Sequence, residues 1–353
     1  MTVTSRVHLG RATRQTSVMR MLVFGGTLFV SRAIAVEAVA RGHEVVCAAR
    51  GLSGAVPAGA ALERVDRDDP HGLAALAGQA FDAVVDTAIM SHRWVADALS
   101  VLADRAGHWT FVSSISVYAD HATRGLGVDA PVHPPAAVHA TLADRSADPD
   151  LYGRVKVASE DAVRNAVGNR AFIVRPGLVT GPGDHTDRFG YWPMRFARGG
   201  RVVVPDVSEQ PTQHIDVRDL AAWVLDAAER RLVGTFDAIG AAVPLPALLA
   251  DVARAVGSDA EPLPVKPALL VQAGINPWSG PRSLPLWLPP ELQGMTDHDA
   301  HPALEAGLRV RPLTNTVAAA LAEERARGID RERLAGLTPA DEAELLELAD
   351  AAE

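Results

Sequence analysis

The chain has a single cysteine, Cys47, in 353 residues. That excludes a disulfide framework and any cysteine-based metal site, and it fits a reducing compartment. It also has no apolar run of the 18 or more residues that a membrane-spanning helix requires. Lysine is nearly missing: Lys156 and Lys266 are the only two among 34 basic residues, the rest being arginine. With abundant alanine, this bias marks a GC-rich coding sequence. A lysine kept in such a chain marks a position where arginine does not serve. Positive charge is in deficit as well, with 43 acidic residues and a formal net charge of −9. That argues against a protein built to hold nucleic acid or an anionic membrane surface. What remains is 48% hydrophobic and 22% charged, the composition of an ordinary globular protein and not of a disordered or coiled-coil one. The length suits one large domain or two closely packed ones, and the expected location is the cytoplasm.

Residues 1–19 stand apart, with Arg6, Arg11 and Arg14, no acid and no secretory apolar stretch. They read as a flexible leader, or as an extension ahead of a true start at Met19 or Met21; an organelle transit peptide is the lesser alternative. From Met21 a regular alternation begins. Short β-rich runs are predicted at Met21–Phe24, Glu44–Ala49, Ala61–Val65, Ala83–Asp86, Trp109–Ser113, Phe172–Arg175 and Thr235–Ile239. Amphipathic helices are predicted between them at Phe29–Ala40, Gly72–Gly78, Arg93–Leu102 and Leu151–Val167. This spacing implies an α/β fold, a doubly wound parallel sheet covered by helices on both faces. Residues 20–177 and about 214–239 make up the expected dinucleotide-binding domain. About 178–213 and 240–353 make up a smaller substrate-binding lobe. Within it, residues 259–290 hold eight of the 24 prolines together with Trp278 and Trp287, a composition that suits a pocket wall.

The first strand runs into Phe24-Gly25-Gly26-Thr27-Leu28-Phe29-Val30-Ser31-Arg32. A glycine turn between strand and helix lets a pyrophosphate sit against free N–H groups at the helix's positive end. The full dinucleotide fingerprint has three glycines, and Leu28 and Ser31 occupy the second and third positions here. Gly25, Gly26, Thr27, Leu28, Phe29 and Val30 are the cofactor-binding candidates of this turn. The second strand ends in Ala49-Arg50-Gly51, where an acid would bond the adenosine 2′-hydroxyl of NAD. Arg50 instead offers a guanidinium to the 2′-phosphate of NADP, so NADP(H) is favoured over NAD(H). The third strand ends in Asp66-Arg67-Asp68, with Asp66 and Arg67 placed to border the adenine.

Tyr152-Gly153-Arg154-Val155-Lys156 falls on a predicted helix, where a spacing of four puts both functional side chains on one face. A free tyrosine has a pKa of about 10, and a neighbouring ammonium favours its phenolate. Such a pair can give or take the proton of a substrate oxygen while a cofactor moves a hydride. Upstream, Val112-Ser113-Ser114-Ile115-Ser116-Val117-Tyr118 ends the fifth strand, where a serine points into the crevice that binds ligands in α/β sheets.

Together Phe24–Arg32, Val112–Tyr118, Tyr152–Lys156, Arg175-Pro176-Gly177 and His214-Ile215-Asp216-Val217-Arg218-Asp219-Leu220 resemble the extended short-chain dehydrogenase/reductase superfamily. The branch they resemble is that of the NAD-dependent epimerases and dehydratases. The Gly25-Gly26-Thr27-x-Phe29-Val30 variant resembles its reductase subgroup, and the similarity spans roughly residues 20–240. The resemblance implies Ser114 as the catalytic serine, Tyr152 as acid/base and Lys156 as its activator. It further implies Thr87, Ala88, Pro176, Gly177 and Val179 as cofactor neighbours.

Departures from the pattern narrow the chemistry. Sugar 4,6-dehydratases of this group carry an Asp-Glu pair where Ile115-Ser116 stands, so that reaction lacks its acid and base. Leu178 and Thr212 stand where nucleotide-sugar enzymes place an asparagine and an arginine on the diphosphate. Ser116, Arg188, Tyr191 and Trp192 are expected to face the substrate, with Leu284, Leu286, Trp278 and Trp287 forming apolar walls. The twelve histidines show no ligand spacing, so no metal site is expected. These features point to an NADP-dependent oxidoreductase acting on a carbonyl or secondary alcohol of a medium-sized substrate, such as a hydrophobic ketone of bacterial secondary metabolism. The alternatives are an NAD-dependent epimerase or dehydratase on a sugar-like substrate, and a non-catalytic cofactor-sensing or RNA-binding relative. The expected partner is a small molecule, with no nucleic acid and no membrane; the oligomeric state, a homodimer included, stays open.

Overall fold

The computed structural model describes residues 17–351. The first half of the chain is built from β1 (Arg20–Phe24), α1 (Phe29–Ala40), β2 (Glu44–Ala49), β3 (Ala60–Arg64), β4 (Ala83–Asp86), α2 (His92–Leu102) and β5 (Trp109–Val112). It continues through α3 (Leu142–Ala147), α4 (Leu151–Val167) and β6 (Ala171–Pro176). Next come β7 (Leu178–Thr180), α5 (Tyr191–Ala197), β8 (Arg201–Pro205), β9 (Pro211–Thr212), β10 (His214–Asp216), α6 (Val217–Arg230) and β11 (Gly234–Ala238). Seven strands form one sheet in the order β11-β6-β5-β4-β1-β2-β3, every pair parallel. The strand order reverses between β1 and β4, and open α/β sheets bind ligands at the carboxyl ends flanking that point.

Period-two alternation along β1 explains why helices cover both faces. Met21 and Val23 enter one core with Ile34 of α1 and Trp223 of α6. Leu22 and Phe24 enter the other with Leu99 of α2 and Val163 of α4. These four β1 side chains are essentially buried, each contributing about 1.5–3 kcal/mol on leaving water. The segment predicted as a helix over Gly72–Gly78 is instead a turn followed by a single 3₁₀ turn, Ala74–Leu76. The reason is local: a Cβ on Gly72 would stand 1.7 Å from Asp66 O, so the chain is pressed against the preceding turn, with Leu76 buried in the core and Leu73 packed against its edge.

Of the expected 1–19 leader, residues 1–16 lie outside the described residues. Met19 is already part of the sheet's core, its carbonyl accepting from Glu44 N at 2.9 Å. The smaller lobe has its own core of Phe189, Trp192 and Phe196 against Leu248, Leu286 and Val317. In it β8 pairs with Glu261–Val265, and the helices Leu245–Val256, Leu313–Arg327 and Pro339–Asp350 close around them. Residues 300–308 return to the sheet, where Ala303 and Leu308 join the core beside α6. Among the described residues no helix is long and apolar enough to cross a membrane.

Candidate active site

At the switch point, Gly25 and Gly26 take φ values of +105° and +88°, a region glycine enters without strain. Space requires them too. A Cβ on Gly26 would stand 2.4 Å from Cys47 Sγ, and one on Gly25 2.8 Å from Ser31 Oγ. α1 starts after Leu28, whose side chain makes no cap hydrogen bond, and its first turn carries no acid. The N–H groups there keep a positive end available to an anion. Thr87 Oγ1 donates to Phe24 O at 3.1 Å, tying the end of β4 to this turn. The residues present fit a dinucleotide pyrophosphate.

Beyond the end of β2 lies an open groove of about 470 Å³ lined by Arg50, Leu52, Arg64, Asp66, Asp69 and His71. No local sequence pattern marks Arg64. It ends β3 opposite Ala49 of β2, its Nη1 donates to the backbone carbonyl of Arg50 at 3.1 Å, and both arginines line the one groove. Only the strand register reveals that pairing. Arg67, expected to border the cofactor, turns its guanidinium inward instead. It pairs with both carboxylate oxygens of Asp86 at 2.9 and 2.8 Å and lies over the Phe24 ring at 4.3 Å. Its side chain is therefore committed beneath the groove and not offered to it.

The fold brings Ser114, Tyr152 and Lys156 to the carboxyl ends of β4 and β5. Lys156 Nζ donates to Ala88 O and Val112 O, both at 2.6 Å, and lies 5.7 Å from the Tyr152 ring centre. Burial pushes its ammonium down to about 7, against the opposing pull of Asp86 and Glu160. The two serines at the end of β5 diverge. Ser113 Oγ donates to Glu160 Oε1 at 2.6 Å inside the molecule. Ser114 Oγ stays at the turn, accepting from Ser116 N at 3.1 Å and donating to Ser116 Oγ at 3.2 Å. Gly153 makes the assembly possible, because a Cβ there would stand 1.9 Å from Ser116 O. α4 thus presses directly on the serine turn. Behind it, Glu160 holds Arg175 through two bonds at 2.9 and 2.7 Å, and Arg175 donates to Tyr118 Oη at 2.9 Å. Pro176 ends β6, and a Cβ on the following Gly177 would meet Ile239 Cγ2 at 2.9 Å. Val179 is buried in the adjoining β7.

The substrate side differs more from expectation. Ser116 is half-buried beside Ser114, and Arg188 is half-buried with its guanidinium 5.1 Å from the Trp278 ring. Tyr191 and Trp192, expected to face the substrate, are fully buried in the lobe core, where Trp192 Nε1 donates to Pro285 O at 2.9 Å. Leu284, Leu286 and Trp287, expected as pocket walls, belong to the same core. Composition revealed their bulk but not their direction. Leu178 and Thr212 are buried as well. The histidines are not all scattered either, since His121 and His133 come together with Asp150 beside the start of α4.

A glycine turn opening onto an uncapped helix, with a serine, a tyrosine and a lysine at the ends of a parallel sheet, defines an extended short-chain dehydrogenase/reductase. More particularly, the chain belongs to the NAD dependent epimerase/dehydratase family, whose sequence profile matches residues 21–236. No curated protein matches it significantly in sequence. Several solved structures share its fold. A Burkholderia cenocepacia J2315 protein provisionally assigned as an epimerase superposes with a TM-score of 0.66 at 23% identity, covering 88% of this chain and 99% of that one. The Bordetella bronchiseptica enzyme WbmG, solved in complex with NAD and UDP, gives 0.64 at 16% identity, covering 89% and 97%. UDP-N-acetylglucosamine 4-epimerase from Bacillus cereus gives 0.62 at 15% identity, covering 90% and 100%.

Proposed function

We propose that the protein is an NADP(H)-dependent oxidoreductase that interconverts a carbonyl and a secondary alcohol on a medium-sized metabolite. The observation that carries this reading is the pair Arg50 and Arg64 in the groove beyond β2 and β3. No acid follows β2 to receive a ribose 2′-hydroxyl, and two guanidiniums suit a 2′-phosphate.

When bound, the nicotinamide supplies the hydride acceptor or donor. The N–H groups opening α1 and the turn at Gly25 and Gly26 would hold its pyrophosphate. Ser114 donates its hydroxyl to the substrate oxygen and fixes its direction. Tyr152 gives that oxygen a proton in reduction and takes it back in oxidation. Lys156, in a site that excludes water, stabilises the phenolate left behind. Gly153 keeps Tyr152 and Ser114 on one wall, and the Ser113–Glu160–Arg175 chain fixes that wall from behind.

A second reading is an epimerase or dehydratase with retained NAD. The family itself and the sugar-nucleotide epimerases among the structural neighbours favour it. Against it stand Ile115-Ser116 in place of an acid pair, and Leu178 and Thr212, both buried, in place of a diphosphate clamp. The two readings separate on Arg50→Ala. Loss of one charge-assisted hydrogen bond, about 1.5–3 kcal/mol, should weaken NADPH roughly ten- to hundredfold and leave NADH nearly unchanged. Equal loss for both cofactors, measured by fluorescence titration, would remove the 2′-phosphate assignment.

A further inference from the structure

We propose that His121, His133 and Asp150 form a binding site for a divalent transition cation of the zinc class beside the first turn of α4. Each residue brings one ligand atom, and the three atoms lie within 4.8 Å of one another. Two imidazole nitrogens and one carboxylate oxygen are a donor set for such ions, whereas magnesium and calcium prefer oxygen alone.

His133 is what separates a ligand site from a chance grouping. Its side chain is only 9% exposed, and its backbone N–H is fixed to Val117 O at 2.8 Å. Yet its buried Nε2 has no hydrogen-bond partner among the described residues, a costly state for a polar atom out of water. That nitrogen faces Asp150 Oδ1 at 4.0 Å. The gap is too long for a hydrogen bond but within the span of two metal–ligand bonds of about 2.0–2.2 Å.

Asp150 adds an independent sign. It occupies the N-cap position of α4, where an aspartate carboxylate ordinarily accepts a first-turn N–H, but it makes no cap hydrogen bond. Its side chain is 56% exposed and has room to rotate toward an ion. The His121 ring stands 5.7 Å from that of His133 and supplies the third ligand. Three protein ligands leave at least one coordination position open to water or to a substrate oxygen. The site adjoins the catalytic wall, for a Cβ on Gly153, the residue after Tyr152, would stand 3.2 Å from His133 Cδ2. The inference does not depend on which nicotinamide cofactor the protein uses.

The test is a titration of the tag-free, chelator-treated full chain with Co²⁺ and Zn²⁺, read by the visible absorption of bound cobalt and by calorimetry. One equivalent should bind, and Asp150→Asn and His133→Ala should each weaken binding about tenfold or more. Circular dichroism checks that the variants fold, and His133→Gln takes the place of the alanine variant if it does not. Absence of saturable binding to the wild type would overturn the site. So would equal affinity in folded Asp150 and His133 variants, because the ion would then be held elsewhere on the surface.

Discussion

At the scale of single residues, atoms a few ångströms apart do separate work. Tyr152→Phe removes only a hydroxyl, so cofactor affinity should hold while turnover falls about 10²- to 10⁴-fold, the range for lost acid–base catalysis. Wild-type turnover in that variant would remove Tyr152 as the proton carrier. Lys156 gives a prediction with a definite sign. Its folded-state pKa is lowered to about 7 by burial, against about 10.4 in an unfolded chain. Below pH 7 both states hold the proton, and the cost of burying the charge is present in full. Between pH 7 and about 10 the unfolded chain binds more protons than the folded one, so stability due to Lys156 rises with pH, by about 1.4 kcal/mol per unit. Urea unfolding of cofactor-free protein at pH 7 and pH 9 should show wild type gaining on Lys156→Met. A constant difference between them would mean that the ammonium is not perturbed by burial.

Elements carry the next set of consequences. α4 meets the serine turn only because residue 153 has no side chain: its Cβ would overlap Ser116 O at 1.9 Å, and backbone cannot rotate away as a side chain can. Gly153→Ala should cost about 1–3 kcal/mol through overpacking. It should also lower kcat well beyond any loss of folded protein, since Tyr152 shifts relative to Ser114. Urea denaturation beside turnover at a temperature where both proteins are folded checks this, and unchanged kcat would mean the contact is not needed for alignment.

The elements also mark how far the sequence could be read. The apolar β runs, the glycine turn and the four-residue Tyr–Lys spacing are local patterns, and β1, α1 and α4 appear where those patterns place them. Arg64 was illegible because its partner Arg50 lies across a strand pair, and register is not local. For Tyr191, Trp192 and Trp287, composition reveals bulk without direction, so the sequence points to a pocket where the structure has a core. The inward turn of Arg67 to Asp86 and the meeting of His121, His133 and Asp150 likewise depend on tertiary placement. The expected Gly72–Gly78 helix failed for a further reason, the close approach of Gly72 to Asp66 O.

On the scale of the whole molecule, the C-terminal helix Pro339–Asp350 is pinned to the lobe by a nearly buried pair. Arg195 Nε donates to Glu342 Oε2 at 2.5 Å, and Val203 N donates to Glu342 Oε1 at 3.1 Å. Glu342→Ala removes the carboxylate partner of that guanidinium, leaving it only the carbonyls of Gly199 and Arg201, and should cost about 3 kcal/mol, with Glu342→Gln milder. Cofactor affinity should change little, because α1 and the groove beyond β2 belong to the other half of the molecule. Chemical denaturation and cofactor titration on the same samples separate the two effects. A Glu342→Ala protein as stable as wild type would show that the pair does not hold the lobe together.

The central claim is that an exchangeable NADP(H), and not a permanently retained NAD, serves the Ser114, Tyr152 and Lys156 wall. Nucleotide released by denaturing the freshly purified wild-type protein, followed by titration of the nucleotide-free protein with NADPH and NADH, tests it most directly. Little retained nucleotide is expected, with binding of NADPH at least roughly tenfold tighter than of NADH, equivalent to about 1.4 kcal/mol. Stoichiometric NAD that survives purification, with NADPH bound no better than NADH, would contradict it and establish the epimerase reading.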